Sequence, residues 1–172
     1  AETDPTGSAS IIVAVESYEA AGNTTMIVWE EGVYLGIVTL LDEAKPDARP
    51  AIEKLPSKGI RKMIMLTGDN QKVAEAIARQ TGLTEARGNL LPENKMEAIE
   101  KLAATEKGIA MVGDGVNDAP AMAKSTVGIA MGAAGSDVAL ETADVALMAD
   151  DLSHLPFVIG LSRQTRRIIR QN

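Results

Sequence analysis

The hydrophobic and polar residues follow one pattern before Asp42 and a different one after it. Before Asp42, three short runs rich in β-branched residues are separated by turn residues, which is typical of strands with short connections. The runs are residues 11–15, 24–29 and 34–40. The pattern predicts a small antiparallel β piece over residues 1–41 and a second domain over residues 42–172.

Residues 42–172 alternate short apolar runs with segments of helical periodicity. The predicted strands are 62–66, 108–112, 127–131 and 145–148. The predicted helices are 47–58, 70–80, a segment starting at Pro92, 118–125, 137–143 and 152–169. Continuous apolar strands that alternate with helices favour a Rossmann-like α/β fold, in which helices cover both faces of a parallel sheet.

Composition narrows the possible functions. The chain has 172 residues, 45% of them hydrophobic, and a net charge of −7, which opposes broad binding of nucleic acid. It has no cysteine, so disulfides and thiolate metal sites are excluded. No uninterrupted apolar run reaches the roughly 18 residues of a membrane span.

Polar residues follow the predicted strand 62–66 in the sequence TGDN. Ligands bind beyond the carboxyl ends of strands in open parallel sheets. Thr67 offers a hydroxyl, Gly68 allows close approach of the backbone, and Asn70 opens a helix whose free N–H groups attract an anion. An ordinary strand-to-helix turn, with Asp69 or Asn70 as the helix cap, explains the same four residues.

A second polar loop, GDGVND, follows the strand 108–112. Asp114, Asn117 and Asp118 offer the hard oxygen ligands that suit Mg²⁺. Two acids so close together repel each other unless a cation lies between them. A surface turn, with one aspartate capping the next helix and the other solvated, fits equally well.

Lys95 adds a cation in the first turn of its helix, where the helix dipole disfavours positive charge. That position suggests an anionic partner, although a solvated lysine is the commoner case. Together with the two loops, it supplies the parts needed to clamp and neutralise a phosphoryl group and to hold Mg²⁺.

The segments MLTGDN, LLPENK and MVGDGVNDAPAMAKSTVGIAMG resemble the phosphorylation domain of P-type cation-transporting ATPases, in the haloacid dehalogenase superfamily. The continuation from residue 132 resembles the heavy-metal branch. The resemblance implies that Thr67 contacts the phosphoryl group, Lys95 neutralises it and Asp114 holds Mg²⁺. It also implies that Asn117 and Asp118 complete the site, Asp118 as a secondary Mg²⁺ ligand, while Gly68 and Asp69 lie near the nucleotide or the domain hinge.

The family's phosphorylated aspartate lies in a DKTGT motif, which does not occur in this chain. The resemblance therefore implies part of an ATP-hydrolysing cytosolic region: residues 1–41 as the last strands of the nucleotide-binding domain, and residues 42–172 as the phosphorylation domain. We expect the chain alone to be inactive. A soluble phosphatase of the same superfamily, or a non-catalytic module that binds Mg²⁺ or phosphate, are the alternatives.

The resemblance also implies the partners and the location. The cofactors would be Mg²⁺ and ATP, and the partners would be the remaining domains and transmembrane helices of a parent transporter. The transported ion (Zn²⁺, Cd²⁺, Pb²⁺ or Co²⁺) would bind elsewhere in that parent. Arg163, Arg166, Arg167 and Arg170 make the last helix basic, as expected of a juxtamembrane segment on the cytoplasmic side. His154 has no second histidine or cysteine with which to build a zinc site.

Overall fold

A computed structural model describes residues 8–41, 43–114, 117–133 and 137–171. The strands are β1 (Asn23–Glu30), β2 (Val33–Leu41), β3 (Ile64–Leu66), β4 (Glu85–Arg87), β5 (Ala110–Gly113), β6 (Val127–Met131) and β7 (Val145–Leu147). The helices are α1 (Ser8–Ala20), α2 (Ala48–Lys54), α3 (Gln71–Thr81), α4 (Pro92–Thr105), α5 (Ala119–Lys124), α6 (Asp137–Thr142) and α7 (His154–Gln171), with a 3₁₀ turn at Pro56–Lys58. The predicted α/β class with parallel strands and a small antiparallel piece is confirmed.

These elements divide into two compact units. The first comprises the described residues of Ala1–Lys45 together with Lys62–Asn89, and the second comprises those of Pro46–Arg61 and Leu90–Asn172. In these units β3, α3 and β4 group with the residues before Pro46, and the domain boundary near Asp42 stays a prediction.

The antiparallel piece in the first unit is a hairpin of β1 and β2, paired from Asn23 with Leu41 to Glu30 with Val33. The first predicted strand, over residues 11–15, is wrong: these residues belong to α1. The partly buried positions Ile11, Ala14 and Val15 are spaced at i, i+3 and i+4, which is one face of a helix. Helix α1 contacts β1 and α3, so tertiary packing outweighs the β propensity of the run.

The parallel strands form two sheets instead of the single sheet that was expected. β3 pairs with β4 in the first unit, and β5, β6 and β7 pair in that order in the second. The sequence analysis missed β4, which has only three residues, two of them charged. Ile129 and Ala130 of the central strand β6 are buried, whereas β3 is partly buried throughout and β5 contains one buried residue, Met111.

The ends of α3 follow from its sequence. Asn70 has an extended backbone and accepts a hydrogen bond from the Lys72 N–H at 2.8 Å, and Gly82 ends the helix at φ +83°. Helix α4 begins at Pro92, as predicted. Among the described residues, no helix is both long enough and apolar enough to cross a bilayer.

Candidate functional site

The loop after β3 is closed by hydrogen bonds between its own residues. The Thr67 hydroxyl donates to Asp69 Oδ2 at 2.6 Å, and the Asp69 N–H donates back to Thr67 Oγ1 at 3.2 Å. Asn70 caps α3, as the explanation of this loop as an ordinary strand-to-helix turn allowed, and Asp69 does not occupy the cap position. The Thr67 oxygen is thereby held in one orientation at the carboxyl end of β3.

A second loop, Arg87–Asn89, lies directly beside the first. The Thr67 N–H donates to the Arg87 carbonyl at 3.0 Å, and the Asn89 N–H donates to the Asp69 carbonyl at 2.6 Å. Asn89 has φ +54°, a conformation that asparagine tolerates better than most residues. The sequence analysis did not predict this loop, although the Gly88-Asn89 pair is a usable turn signal.

Gly88 explains how the two loops approach so closely. A Cβ atom at this position would lie 2.6 Å from the Gln71 Cα and 2.7 Å from the Asp69 carbonyl oxygen. Both neighbours are backbone atoms, which cannot move aside as a side chain can. Glycine is therefore required here by the packing of one loop on the other.

The second unit contains an ion pair between Lys95 of α4 and Asp118, just before α5. Lys95 Nζ lies 2.9 Å from Asp118 Oδ1, and the two side chains are only 19% and 16% exposed. Asp118 stands at the N-cap position of α5, yet its side chain makes no capping hydrogen bond. The anionic partner suggested by the position of Lys95 is, within this unit, the Asp118 carboxylate.

Gly113, the last residue of β5, makes room for Asp118. A Cβ atom on Gly113 would lie 2.6 Å from Asp118 Oδ2 and 2.8 Å from its Cβ. The aspartate side chain thus packs against the end of the strand and is aimed from there at Lys95. Glycine at this position is therefore required by the close approach of the Asp118 side chain.

Asp114 and Asn117 are exposed beside this pair, at the carboxyl end of β5. Gly115, which shares the loop, lies outside the described residues. The residues that the structure describes contain no group of three or more His, Asp or Glu side chains able to hold a metal. One or two carboxylates suit Mg²⁺, which completes its shell with water and phosphate oxygens, so the donors present fit that ion and not an all-protein cage.

The predicted site residues therefore fall into two sets. Thr67, Gly68 and Asp69 lie together in the first unit. Lys95, Asp114, Asn117 and Asp118 lie in the second, where Lys95 and Asp118 are in direct contact. Neither set contains a residue that sequence analysis would identify as a phosphorylated nucleophile.

Comparison with known proteins gives a consistent result. A family model described as haloacid dehalogenase-like hydrolase matches residues 6–126. A probable cadmium-transporting ATPase of Staphylococcus aureus (strain MRSA252) is 49% identical over 158 residues, which are 92% of this chain and 22% of that protein. A manganese-exporting P-type ATPase of Mycobacterium bovis is 42% identical over 158 residues, which again are 92% of this chain and 22% of that protein.

Solved structures agree with these relatives. The crystal structure of a zinc-transporting PIB-type ATPase in the E2.Pi state is 45% identical in sequence and aligns with a TM-score of 0.77. The alignment covers 95% of this chain and 26% of that one. The chain belongs to the haloacid dehalogenase-like hydrolases and matches part of the heavy-metal P-type ATPases, spanning about a fifth of the length of the relatives named above.

Proposed function

We propose that this member of the haloacid dehalogenase-like hydrolase family supplies the Mg²⁺- and phosphoryl-binding half-site of a heavy-metal-exporting P-type ATPase. The observation that carries the proposal is the Lys95–Asp118 pair, packed on Gly113 directly beside Asp114. A mostly buried cation next to an exposed carboxylate offers one group for a phosphoryl oxygen and another for a metal.

Each residue has a distinct role in this proposal. Thr67 donates its hydroxyl to the phosphoryl group, which requires it to release Asp69, its acceptor at 2.6 Å. Lys95 neutralises phosphoryl charge, and Asp118 orients Lys95. Asp114 holds Mg²⁺, which when bound polarises the phosphoryl oxygens and offsets their charge.

Asn117 completes the site, and Asp118 contributes to the metal through its second oxygen. Gly68 and Asp69 border the nucleotide. These assignments draw on the family resemblance together with the placement of the loops, and ATP is the substrate that they imply.

The phosphorylated aspartate comes, in this proposal, from another segment of the parent protein. No DKTGT string occurs in the chain, and in its described part β5 pairs only with β6. The other edge of β5 is thus available to a further parallel strand, and the carboxyl end of such a strand would lie at the same edge of the sheet as Asp114.

Residues 1–41, which include α1 and the β1–β2 hairpin, are in the same proposal the last part of a nucleotide-binding domain. The β1–β2 hairpin leaves large apolar side chains in solvent, among them Trp29 at 67% and Leu35 at 61% exposure. A two-stranded hairpin is marginally stable by itself, and exposed apolar surface of this kind is typical of a sheet that continues. The remaining domains of the parent would cover it.

The parent transporter would lie in the cell membrane with this region on the cytoplasmic side. Helix α7 contains four arginines and no acidic residue, as expected of a segment near the cytoplasmic membrane surface. The transported ion (Zn²⁺, Cd²⁺, Pb²⁺ or Co²⁺) would bind outside this chain. The named relatives transport or export cadmium, manganese and zinc, which supports a divalent heavy metal.

Two measurements test the proposal. The first is Mg²⁺-dependent release of phosphate from ATP and from acetyl phosphate by this chain, where we expect no turnover. The second is metal-stimulated ATP hydrolysis by the full-length transporter carrying Lys95→Met, where we expect a loss of about 100-fold or more. Lys101→Met is the matched control, because Lys101 lies on the same helix in a pair with Glu97 and its side chain is 75% exposed.

Two outcomes would contradict the proposal. Turnover by the chain alone that disappears in Asp114→Ala would mean that the chain contains its own nucleophile. Equal ATPase rates for Lys95→Met and Lys101→Met would mean that Lys95 does not meet the phosphoryl group.

A further inference from the structure

The side chain of Gln71 joins the two loops at the carboxyl ends of β3 and β4. Its Nε2 donates to the Ala86 carbonyl at 3.0 Å and to Glu75 Oε1 at 2.8 Å. Its Oε1 accepts the Gly88 N–H at 2.6 Å. A glutamine amide both donates and accepts, so this one side chain bonds to the backbone on either side of Arg87.

We infer that Gln71 is a positioning residue for the Thr67–Asp69 loop. The inference rests on the proposed function, because it assigns to Gln71 a part in presenting Thr67 to a phosphoryl group. Gln71 is not itself a catalytic residue, because its side-chain amide is hydrogen-bonded to Ala86, Gly88 and Glu75.

Three hydrogen bonds connect Gln71 to Thr67 through Gly88, Asn89 and Asp69. Gln71 holds Gly88, and the neighbouring Asn89 N–H donates to the Asp69 carbonyl at 2.6 Å. Asp69 in turn accepts the Thr67 hydroxyl at 2.6 Å. Each of these bonds holds the residue that makes the next bond, or the neighbour of that residue in the chain.

The close approach at Gly88 makes this chain of contacts stiff. Gly88 Cα faces the backbone of Gln71 and Asp69 with no room for a methyl group. A displacement of the Arg87–Asn89 loop therefore changes the Asp69 backbone directly. Loss of the amide would leave the Ala86 carbonyl and the Gly88 N–H without their side-chain partner.

Three variants separate positioning from simple packing. Gln71→Met keeps the length of the side chain and removes all of its hydrogen bonds. Gln71→Glu keeps an acceptor for Gly88 but cannot donate to Ala86, and it faces the Glu75 carboxylate. Glu75→Ala is the control, since it removes the outer hydrogen bond and leaves those to Ala86 and Gly88 in place.

The first readout is amide hydrogen exchange of Gly88 and Asn89 in this chain, measured by NMR. We expect Gln71→Met to accelerate exchange at both amides about tenfold or more, and Glu75→Ala to leave it unchanged. Unchanged exchange in Gln71→Met would overturn the inference at its structural step.

The second readout is the inhibition constant of orthovanadate, a phosphate analogue, in the full-length transporter. An inhibition constant does not depend on the fraction of protein that is folded, so a merely structural role would not change it. We expect Gln71→Met and Gln71→Glu to weaken inhibition about tenfold and Glu75→Ala to have no effect. Thr67→Ala, measured alongside, tests the proposed function separately.

The outcomes distinguish the two proposals. If Thr67→Ala weakens inhibition and Gln71→Met does not, the positioning role is wrong and the proposed function stands. If neither variant changes inhibition, Thr67 does not meet the phosphoryl group, and the role of Gln71 is overturned with it.

Discussion

The parallel pairs β3–β4 and β5–β6 begin in the same way and end differently. At the amino end of each pair, a threonine makes two hydrogen bonds to the backbone of the residue that precedes the first strand. Thr84 Oγ1 accepts the Met63 N–H at 2.8 Å, and Thr126 Oγ1 accepts the Ile109 N–H at 3.0 Å. The N–H of each threonine donates back to the carbonyl of the same residue at 2.9 Å.

At the carboxyl ends the two pairs use different chemistry. The loops after β3 and β4 are held by hydrogen bonds among Thr67, Asp69, Gln71 and backbone groups. The loop after β5 contains a mostly buried ion pair, Lys95–Asp118. The comparison shows that one strand–loop–helix design can present a fixed hydroxyl in one unit and a directed charge in the other.

The largest expected effect on stability comes from substituting the two closely packed glycines, Gly88 and Gly113. These variants test whether the loops in the two units are equally rigid. We expect Gly88→Ala to lower the free energy of unfolding by about 3 kcal/mol, because a methyl group meets backbone atoms that cannot yield. Gly113→Ala should cost less, about 1–2 kcal/mol: the Asp118 carboxylate can rotate away, and only the Asp118 Cβ, 2.8 Å from the new methyl group, requires a shift of the backbone. Urea denaturation measures both values.

Gly36→Ala and Gly108→Ala are the controls for the two units. A methyl group on Gly36 has no neighbour within 4 Å, and one on Gly108 reaches only the Thr126 hydroxyl at 4.0 Å. Both should change stability by less than about 1 kcal/mol. If Gly113→Ala lowers the free energy of unfolding as much as Gly88→Ala does, the loop after β5 is as rigid as the Arg87–Asn89 loop.

A double-mutant cycle on Lys95→Met and Asp118→Asn should have the next largest effect. Removing either partner leaves the other mostly buried without its counter-charge, so we expect each single variant to cost about 2 kcal/mol. The double variant should recover part of that loss, which gives a coupling energy of about 1–2 kcal/mol from thermal or urea unfolding.

The matched control is the pair Lys124–Glu100, which joins α5 and α4 at 2.9 Å with side chains 51% and 47% exposed. Its coupling should stay below about 0.5 kcal/mol, because water screens exposed charges. Equal coupling in the two pairs would mean that burial of Lys95 and Asp118 adds nothing, and the contrast between the two loops would lose its electrostatic basis.

The smallest effect concerns Asp151, which lies outside both loops. Hydrogen bonds from the Ser153 side chain and backbone hold the pKa of the Asp151 carboxyl below its ordinary value of 3.8. A carboxyl with a lowered pKa stabilises the folded state above pH 3.8, and that contribution is lost as the pH falls through the folded-state pKa. Asp151→Asn should therefore reduce the acid dependence of stability only below about pH 4.

NMR titration of Asp151 and acid unfolding of the variant measure this effect. The Asp151 side chain is 41% exposed, so the effect should be weaker than that of either glycine or of the ion pair. A midpoint at or above 3.8 would contradict the prediction.

The sequence predicted most elements that have a strong local signal. Asn70 and Gly82 mark the ends of α3, Pro92 marks the start of α4, and the apolar run 127–131 is the buried strand β6. The elements that were missed or wrong have weak or conflicting local signals. β4 has three residues without an apolar run, and residues 11–15 combine β-branched side chains with helical spacing.

The candidate site shows the same limit. The motifs identified Thr67, Lys95, Asp114 and Asp118 individually, and their assignment to a phosphoryl and Mg²⁺ site stays a prediction. The pairing of Lys95 with Asp118 over 23 residues, and that of Gln71 with Gly88 over 17, have no signature in local sequence. Gln71 in particular reads as an ordinary first residue of a helix.

The sequence by itself determined the fold class, the ends of α3, the start of α4 and the presence of two polar loops after strands. These properties depend on backbone conformation and hydrophobic period, which neighbouring residues specify. Only the tertiary structure decided that α1 is a helix, that the parallel strands divide into two sheets, and which atoms Gly88, Gly113 and Gln71 contact. Those features depend on distances between residues far apart in the chain, which no local pattern specifies.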